Sequence, residues 1–395
     1  MPTVPMATRR FKGGRTGHAV NAPMGIGRVK SHSACAAKTK KSPVPIATRI
    51  SQGGRTGHAV NAPKGIGRVK PHSACTAKTK KPILKQNGIM NPPKEISLIS
   101  EYDVLSYGLS MIGFGLERQN VRHQLNEERF QSAFCVPSSS IAPILNDLGN
   151  EYPDMKYKDT MMVMNWFKGY GTEHELAGRW GYCEDYIRAS CKETTKQIQS
   201  LFPNKIQFKG FDENEELLYS VDGKHFQTQE FRLDPSSKWF DHKCNHSGLA
   251  YEFALSLRRP AIVHKSGPFP ASVNDLTIFR GGNAEEPKEN WDPNSLYWKT
   301  PPDKKGIGDS GYQGEPTKMV CTRESHSKEF KKFLARAKSR QESLYTRMTY
   351  FKILVEAFRH GAGTKDKMER HNAVVEAICV MIQYDFEHGR PPFEL

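Results

Sequence analysis

The first 90 residues contain no Asp and no Glu, against 18 Lys and Arg. The whole chain of 395 residues carries 58 basic and 42 acidic side chains, so residues 91–395 hold 40 and 42, a net charge of −2. Long apolar runs are missing too. The longest, residues 377–382, has six members, far short of the roughly 20 that a membrane-spanning helix needs. This excludes a transmembrane-helix protein and leaves no expectation of a membrane partner. The N-terminus lacks an apolar h-region, which argues against a secretory signal. The eight cysteines are Cys35, Cys75, Cys135, Cys183, Cys191, Cys244, Cys321 and Cys379, dispersed and without a CxxC pair. That pattern suits reduced thiols in a cytosolic or nuclear protein better than a disulfide scaffold or a structural zinc site.

The basic residues that are present form an arm built by duplication. Residues 13–41 return as residues 53–81 at a period of 40, with three differences. Neither copy has enough large apolar residues to offset an ordering entropy of about 1–2 kcal/mol per residue, so 1–95 is expected to be disordered. Such a polycation binds phosphate backbones by counterion release. The clusters Lys38, Lys40, Lys41 and Lys78, Lys80, Lys81 have the form of nuclear-import signals. A nuclear location is expected; the acid-free, Arg-bearing leader also allows an organellar one, although its Gly and Pro punctuation opposes a transit helix. The plain alternative is an inert, duplicated leader.

From residue 96 the composition turns globular. Residues 96–203 are expected to form an all-α module, with Phe130, Phe134, Ile141, Ile144, Leu145 and Leu148 at helical spacing. Met161, Met162, Met164, Trp166 and Phe167 predict a short apolar helix ending at Gly169–Gly171. Thr172 with Glu175 makes a capping box for a second helix. Gly181 allows a turn, and 184–201 predicts a third. Three short helices about a Gly turn suggest a helix-turn-helix module, whose third helix would carry Arg188, Lys192 and Lys196 as one stripe towards phosphates. A solvated basic face on a plain bundle accounts for the stripe equally well.

Residues 204–395 predict a β-rich block followed by helices, an α/β core. Strands are expected over 217–221, 225–231, 251–257 and 261–264, with a short one at 306–312 that ends in a turn. From Ser327 an apolar stripe running from Phe330 to Phe358 predicts a long helix, and 373–386 a last one.

Three sequences set an acid where a strand meets a turn: Val221-Asp222-Gly223-Lys224-His225, Asn274-Asp275-Leu276, and Gly308-Asp309-Ser310-Gly311-Tyr312. Converging carboxylates bind Mg²⁺ or Mn²⁺, hard ions that prefer oxygen, and a two-metal site stabilises both the attacking and the leaving oxygen of a phosphodiester displacement. Singly, each Asp-Gly is first of all a turn dipeptide. A second, softer site is suggested by His242-Lys-Cys244-Asn-His246, whose alternate residues share a face on a strand. It lacks a fourth ligand for zinc.

Taken in order, the motifs resemble the DDE transposases of the PIF/Harbinger type, within the DDE-superfamily endonucleases. The resemblance rests on Asp222-Gly-x-His225, Trp239 with His242-Lys243, Gly248-Leu-Ala-Tyr-Glu252, Gly267-Pro-Phe-Pro270, Asn274-Asp275, Ile278-Phe-Arg280, Gly308-Asp-Ser-Gly-Tyr312, Arg340-Gln-Glu342 and Phe358-Arg-His360. It implies a ribonuclease-H-like mixed sheet with flanking helices. It also implies metal ligands Asp222, Asp309 and Glu342, with Asp275 as a further ligand or an N-cap, and a phosphate-orienting role for His225. Glu342 stands 33 positions after Asp309, and Glu356 is its rival. On one continuous helix Glu342 would fall off the apolar stripe. Lys224, Asn274 and Tyr345 depart from the family pattern without removing a carboxylate. The implied activity is cleavage and joining of double-stranded DNA with two divalent ions, by an oligomer assembled on DNA and with a Myb-like DNA-binding partner protein. The alternative is a domesticated or decayed descendant that binds DNA or chromatin without cutting.

Overall fold

The structure, a computed structural model, describes residues 98–119 and 122–395. The arm, with Lys38, Lys40, Lys41, Lys78, Lys80 and Lys81, lies outside the described residues. The N-terminal helices are α1 (Glu101–Met111), α2 (His123–Phe134), α3 (Ser138–Glu151), α4 (Tyr157–Gly169), α5 (Glu173–Trp180), α6 (Glu184–Ser200) and α7 (Phe202–Lys205). Local chemistry sets their ends. Ser100 and Asp103 cap α1 reciprocally, and Thr172 and Glu175 do the same for α5. Gly181, at φ +71°, ends α5 as its sequence predicts. Helix α4 ends differently: Tyr170, not a glycine, takes the left-handed position at φ 47°. The six apolar residues expected at helical spacing over 130–148 are all at most 2% exposed.

The sheet uses β1 (Leu217–Gln227), β2 (Phe240–Asp241), β3 (His246–Ser256), β4 (Ile262–Pro270), β5 (Lys305–Ile307) and β6 (Met319–Val320). β3 lies between β1 and β4, antiparallel to both, and β2 also pairs with it. β5 pairs parallel to the other edge of β1, and β6 parallel to β5. Helices α8 (Asp275–Arg280) and α9 (Leu296–Lys299) fill the crossover between β4 and β5. Helices α10 (Lys328–Met348), α11 (Lys352–Val355) and α12 (Thr364–His388) follow the sheet.

One hydrophobic core joins α1–α6 to one face of this sheet and to α10 and α12, through residues such as Ile187, Phe226, Phe253, Leu344 and Ile378. A second core, with Val221, Ala254, Phe279, Trp291 and Tyr312, lies under α8 and α9. Each buried Val, Leu, Ile or Phe side chain among them contributes about 1.5–3 kcal/mol by leaving water. No helix among the described residues is long and apolar enough to cross a membrane.

Two expectations are corrected. Asp222-Gly223 is not a turn: β1 is one unbroken strand of 11 residues, and Asp222 pairs with Phe253 and Gly223 with Glu252 inside it. Cross-strand pairing on β3 overrides the turn preference of Asp-Gly. The long helix from Ser327 stops at Met348, and Phe358 leaves helical geometry to bridge Thr228. Its backbone exchanges bonds with Gln227 and Gln229. A run of apolar residues spaced for a helix also serves a chain that turns back along a strand, and the β1 edge decides between them.

Candidate active site

The parallel register of β1 on β5 builds the site. Tyr219 sits opposite Gly306 and Ser220 opposite Ile307. Two residues further along both chains stand Asp222 and Asp309, so the acids emerge side by side at the C-terminal end of β5. Asp309 is exposed and opens a short 3₁₀ turn, its Oδ1 accepting from Gly311 N at 2.7 Å. The turn therefore fixes the carboxylate that the sequence placed there.

Helix α10 brings the third acid. Tyr345 donates its hydroxyl to the carbonyl of Asp222 at 2.7 Å, and Gln341 accepts from Ser220 Oγ at 3.0 Å. These bonds hold the helix against β1 with Glu342 at the exposed rim, where it acts electrostatically on Asp222. Glu342 is off the apolar stripe, as the spacing predicts, and the stripe's edge faces the acids. Glu356, its rival, caps α11 and acts instead on Tyr170. Two departures from the family pattern meet here, since the Lys224 ammonium lies over the Tyr345 ring, 5.2 Å from its centroid.

Asp275 also joins the group. Asn274, not Asp275, is the N-cap of α8, accepting from Leu276 N at 2.9 Å. This corrects the N-cap reading and leaves the Asp275 carboxylate free. It lies over Gly223, where any Cβ would collide with its Oδ1, and Oδ2 lies 3.4 Å from a Cβ placed on Gly311. A side chain at 223 would displace the Asp275 carboxylate, so glycine here permits a close approach rather than a turn.

Electrostatics reports the crowding. Burial, then Asp309, pushes the Asp222 carboxyl up to about 7, with Asp275 and Glu342 adding to it against one bond from Gly223 N. Asp275 is raised by burial and by Asp309, against the opposing pull of Lys243 and His225. The charged groups that act most on Asp222 are all acids, and all offer oxygen. Like charges brought together without a counterion raise one another's pKa, and this donor set fits a hard divalent cation. Among the described residues, the sets of three ligand atoms within 4.8 Å of one another are Asp241–Cys244–His246 and Glu101–His123–Glu127. The carboxylates of Asp222, Asp309 and Glu342 do not all lie within that distance of one another.

One acid escaped attention as a site residue although its motif was legible. Glu252 on β3 is 1% exposed and pushed up to about 8 by burial, against a bond at 3.3 Å from the Tyr312 hydroxyl. Its Oε1 has no hydrogen-bond partner. Glu252 thus stands neutral behind the cluster and braces the tyrosine of the Gly308–Tyr312 turn. The sequence signal was a lone acid among Leu249, Tyr251, Phe253 and Leu255. Its pH consequence has a definite sign. Between the ordinary carboxyl pKa and about 8 the folded chain holds a proton that the unfolded chain has lost, so stability falls as pH rises through that window. Glu252→Gln is expected to flatten this fall, read as melting temperature against pH from 5 to 9 in chelator.

The other expected contacts are less simple. His225 gives Nδ1 to the buried Asp241 carboxylate at 2.7 Å. Arg188 is engaged by Glu173 and by Asp185, so it is not a free phosphate contact. Helix α6 packs on α4, α5 and α12, and its exposed Lys192 and Lys196 line a cleft of about 780 Å³ against Arg359 and Arg370. None of the acids lines that cleft.

No curated protein matches the chain, and no solved structure does. The stretch that carries β1, the acids and α10, residues 221–383, matches the family model described as DDE superfamily endonuclease, which supports placing it in the DDE endonuclease superfamily.

Proposed function

We propose that this chain is a metal-dependent DNA endonuclease and transposase of the PIF/Harbinger type, working through Asp222, Asp309 and Glu342. The observation that carries the reading is the β1–β5 register, which brings together acids 87 residues apart beside a third on α10. The mixed sheet with flanking helices is compatible with a ribonuclease-H-like core. Asp222 and Asp309 are the groups that would hold Mg²⁺ or Mn²⁺, with Glu342 as the third and Asp275 as a further oxygen donor. When bound, such ions supply charge that activates an attacking oxygen and stabilises a leaving one. The chain's own part is to fix these carboxylates from three elements at one edge. His225, oriented by its Nδ1 bond to Asp241, is the residue assigned to position a phosphate in this reading.

In this reading the substrate is double-stranded DNA, gripped by the basic arm and by Lys192 and Lys196, with a nuclear location. A Myb-like partner and assembly as an oligomer on DNA belong to the same proposal. The third acid is tested directly. Glu342→Gln is expected to lower Mn²⁺-dependent nicking of supercoiled plasmid by about 10²-fold or more, the scale of losing one group that stabilises transition-state charge. Glu356→Gln is expected to leave nicking unchanged. Equal effects from both, or an effect from Glu356 alone, would remove Glu342 from the site.

A further inference from the structure

We propose that the turn between β2 and β3 binds one zinc-class divalent cation through Asp241, Cys244 and His246, with one coordination position open to solvent. This site is separate from the acid cluster and does not depend on the strand-cleavage reading.

The three ligand atoms all lie within 4.8 Å of one another. A tetrahedral site with Zn–S of about 2.3 Å and Zn–N of about 2.0–2.1 Å needs ligand atoms roughly 3–4 Å apart. Small side-chain rotations close that gap. The spacing differs from the one the sequence suggests. Residues 241–246 do not alternate on a strand; they fold into a tight turn. Asn245 takes φ 58°, and its N–H bonds to the Asp241 carbonyl at 2.7 Å. That fold exchanges His242, whose ring packs edge-on against Phe240, for Asp241.

Two of the three ligands are already oriented by further bonds, the usual support of a metal site. His246 Nδ1 lies 3.0 Å from the Ser247 carbonyl oxygen. Facing a carbonyl, that nitrogen must carry the proton, so Nε2 keeps its lone pair. Asp241 is buried, its Oδ1 accepting from Lys243 N at 2.8 Å and Cys244 N at 3.3 Å, and its Oδ2 meeting His225. Cys244 is exposed, so solvent ions reach the sulfur. On binding, the thiol proton leaves to solvent as the sulfur–metal bond forms.

Donor chemistry separates the two sites. Sulfur and imidazole select zinc or cobalt over magnesium, whereas the cluster around Asp222 offers oxygen alone. The Glu101–His123–Glu127 group is a weaker candidate, because it offers no sulfur and two of its three residues are exposed.

The experiment titrates the full chain, stripped with chelator, first with Co²⁺ and then with Zn²⁺. The expected result is a near-ultraviolet thiolate-to-cobalt band that saturates at one ion per chain and is displaced by Zn²⁺. The band should vanish in Cys244→Ser, persist in Asp222→Asn, and need about 10–100-fold more cobalt in His225→Ala, which removes the bond that orients Asp241. Circular dichroism checks that each variant is folded; Cys244 is exposed, so its substitution leaves the core intact. No band at cobalt well above the protein concentration overturns the proposal. So does a band that survives Cys244→Ser, which belongs to another thiol, or one that Asp222→Asn abolishes.

Discussion

Asp222→Asn and Asp309→Asn are each expected to abolish Mg²⁺- or Mn²⁺-dependent nicking, by about 10³-fold or more. A bound ion supplies several kcal/mol of transition-state stabilisation, and each 1.36 kcal/mol is a factor of ten. The substitution keeps the shape of the side chain and removes only its charge. Asp222 offers a second readout, in stability. Its carboxyl is raised to about 7 by burial and by Asp309. From the ordinary Asp value up to about 7 the folded chain therefore holds a proton that the unfolded chain has lost, and stability falls as pH rises. In chelator at pH 8, Asp222→Asn should therefore be more stable than the parent, by about 2 kcal/mol after allowing for partial exposure. Salt-sensitive DNA binding should survive the substitution. Nicking that persists in either variant would overturn the assignment and favour a DNA-binding protein that does not cut.

Arg340→Met is expected to cost about 3 kcal/mol or more of stability and to lower nicking with it. Arg340 is 2% exposed, and its guanidinium donates to the carbonyls of Ser256 (3.3 Å), Arg259 (2.6 Å) and Phe393 (2.7 Å). All three acceptors are backbone carbonyls, from the end of β3, the β3–β4 turn and the C-terminal segment, and the Glu394 carboxylate adds a favourable charge. Methionine matches the stem but removes three bonds, of which the one to Ser256 is buried and leaves an orphan carbonyl costing about 1–3 kcal/mol. Two positions along the same helix stands Glu342, so Arg340 positions the acid rather than acting on substrate. Chemical denaturation reads the loss. A midpoint within experimental scatter of the parent would show that the three bonds contribute nothing. Where the variant still folds, weaker nicking that higher Mn²⁺ partly restores would mark a displaced ligand rather than a lost one.

Much of the scaffold was legible because its causes are local. The capping box at Thr172 and the turn at Gly181 depend on residues three or four apart, and the apolar period of 130–148 depends on one helix alone. The acids of the Gly308–Tyr312 turn and of β1 could be named for the same reason. Asp222-Gly223 read as a turn because nothing within a few residues reveals Phe253 and Glu252 across the strand. The stripe from Phe330 to Phe358 read as one helix because period alone cannot show where a chain leaves α10 to meet Thr228. Arg188 looked free until the fold set Glu173 beside it.

Chain composition and residue order by themselves determined the basic arm against a near-neutral body, the helix caps, the apolar faces and which acids were worth attention. Those properties follow from side-chain chemistry and short-range geometry. Only the tertiary structure decided which acids meet, that Glu342 and not Glu356 faces Asp222, that Glu252 is sealed in neutral, and that Asp241 replaces His242 beside Cys244. Each of these rests on pairing or packing between residues far apart in the chain. Electrostatic shifts and ligand sets depend on through-space distances of a few ångströms, and sequence separation does not encode them.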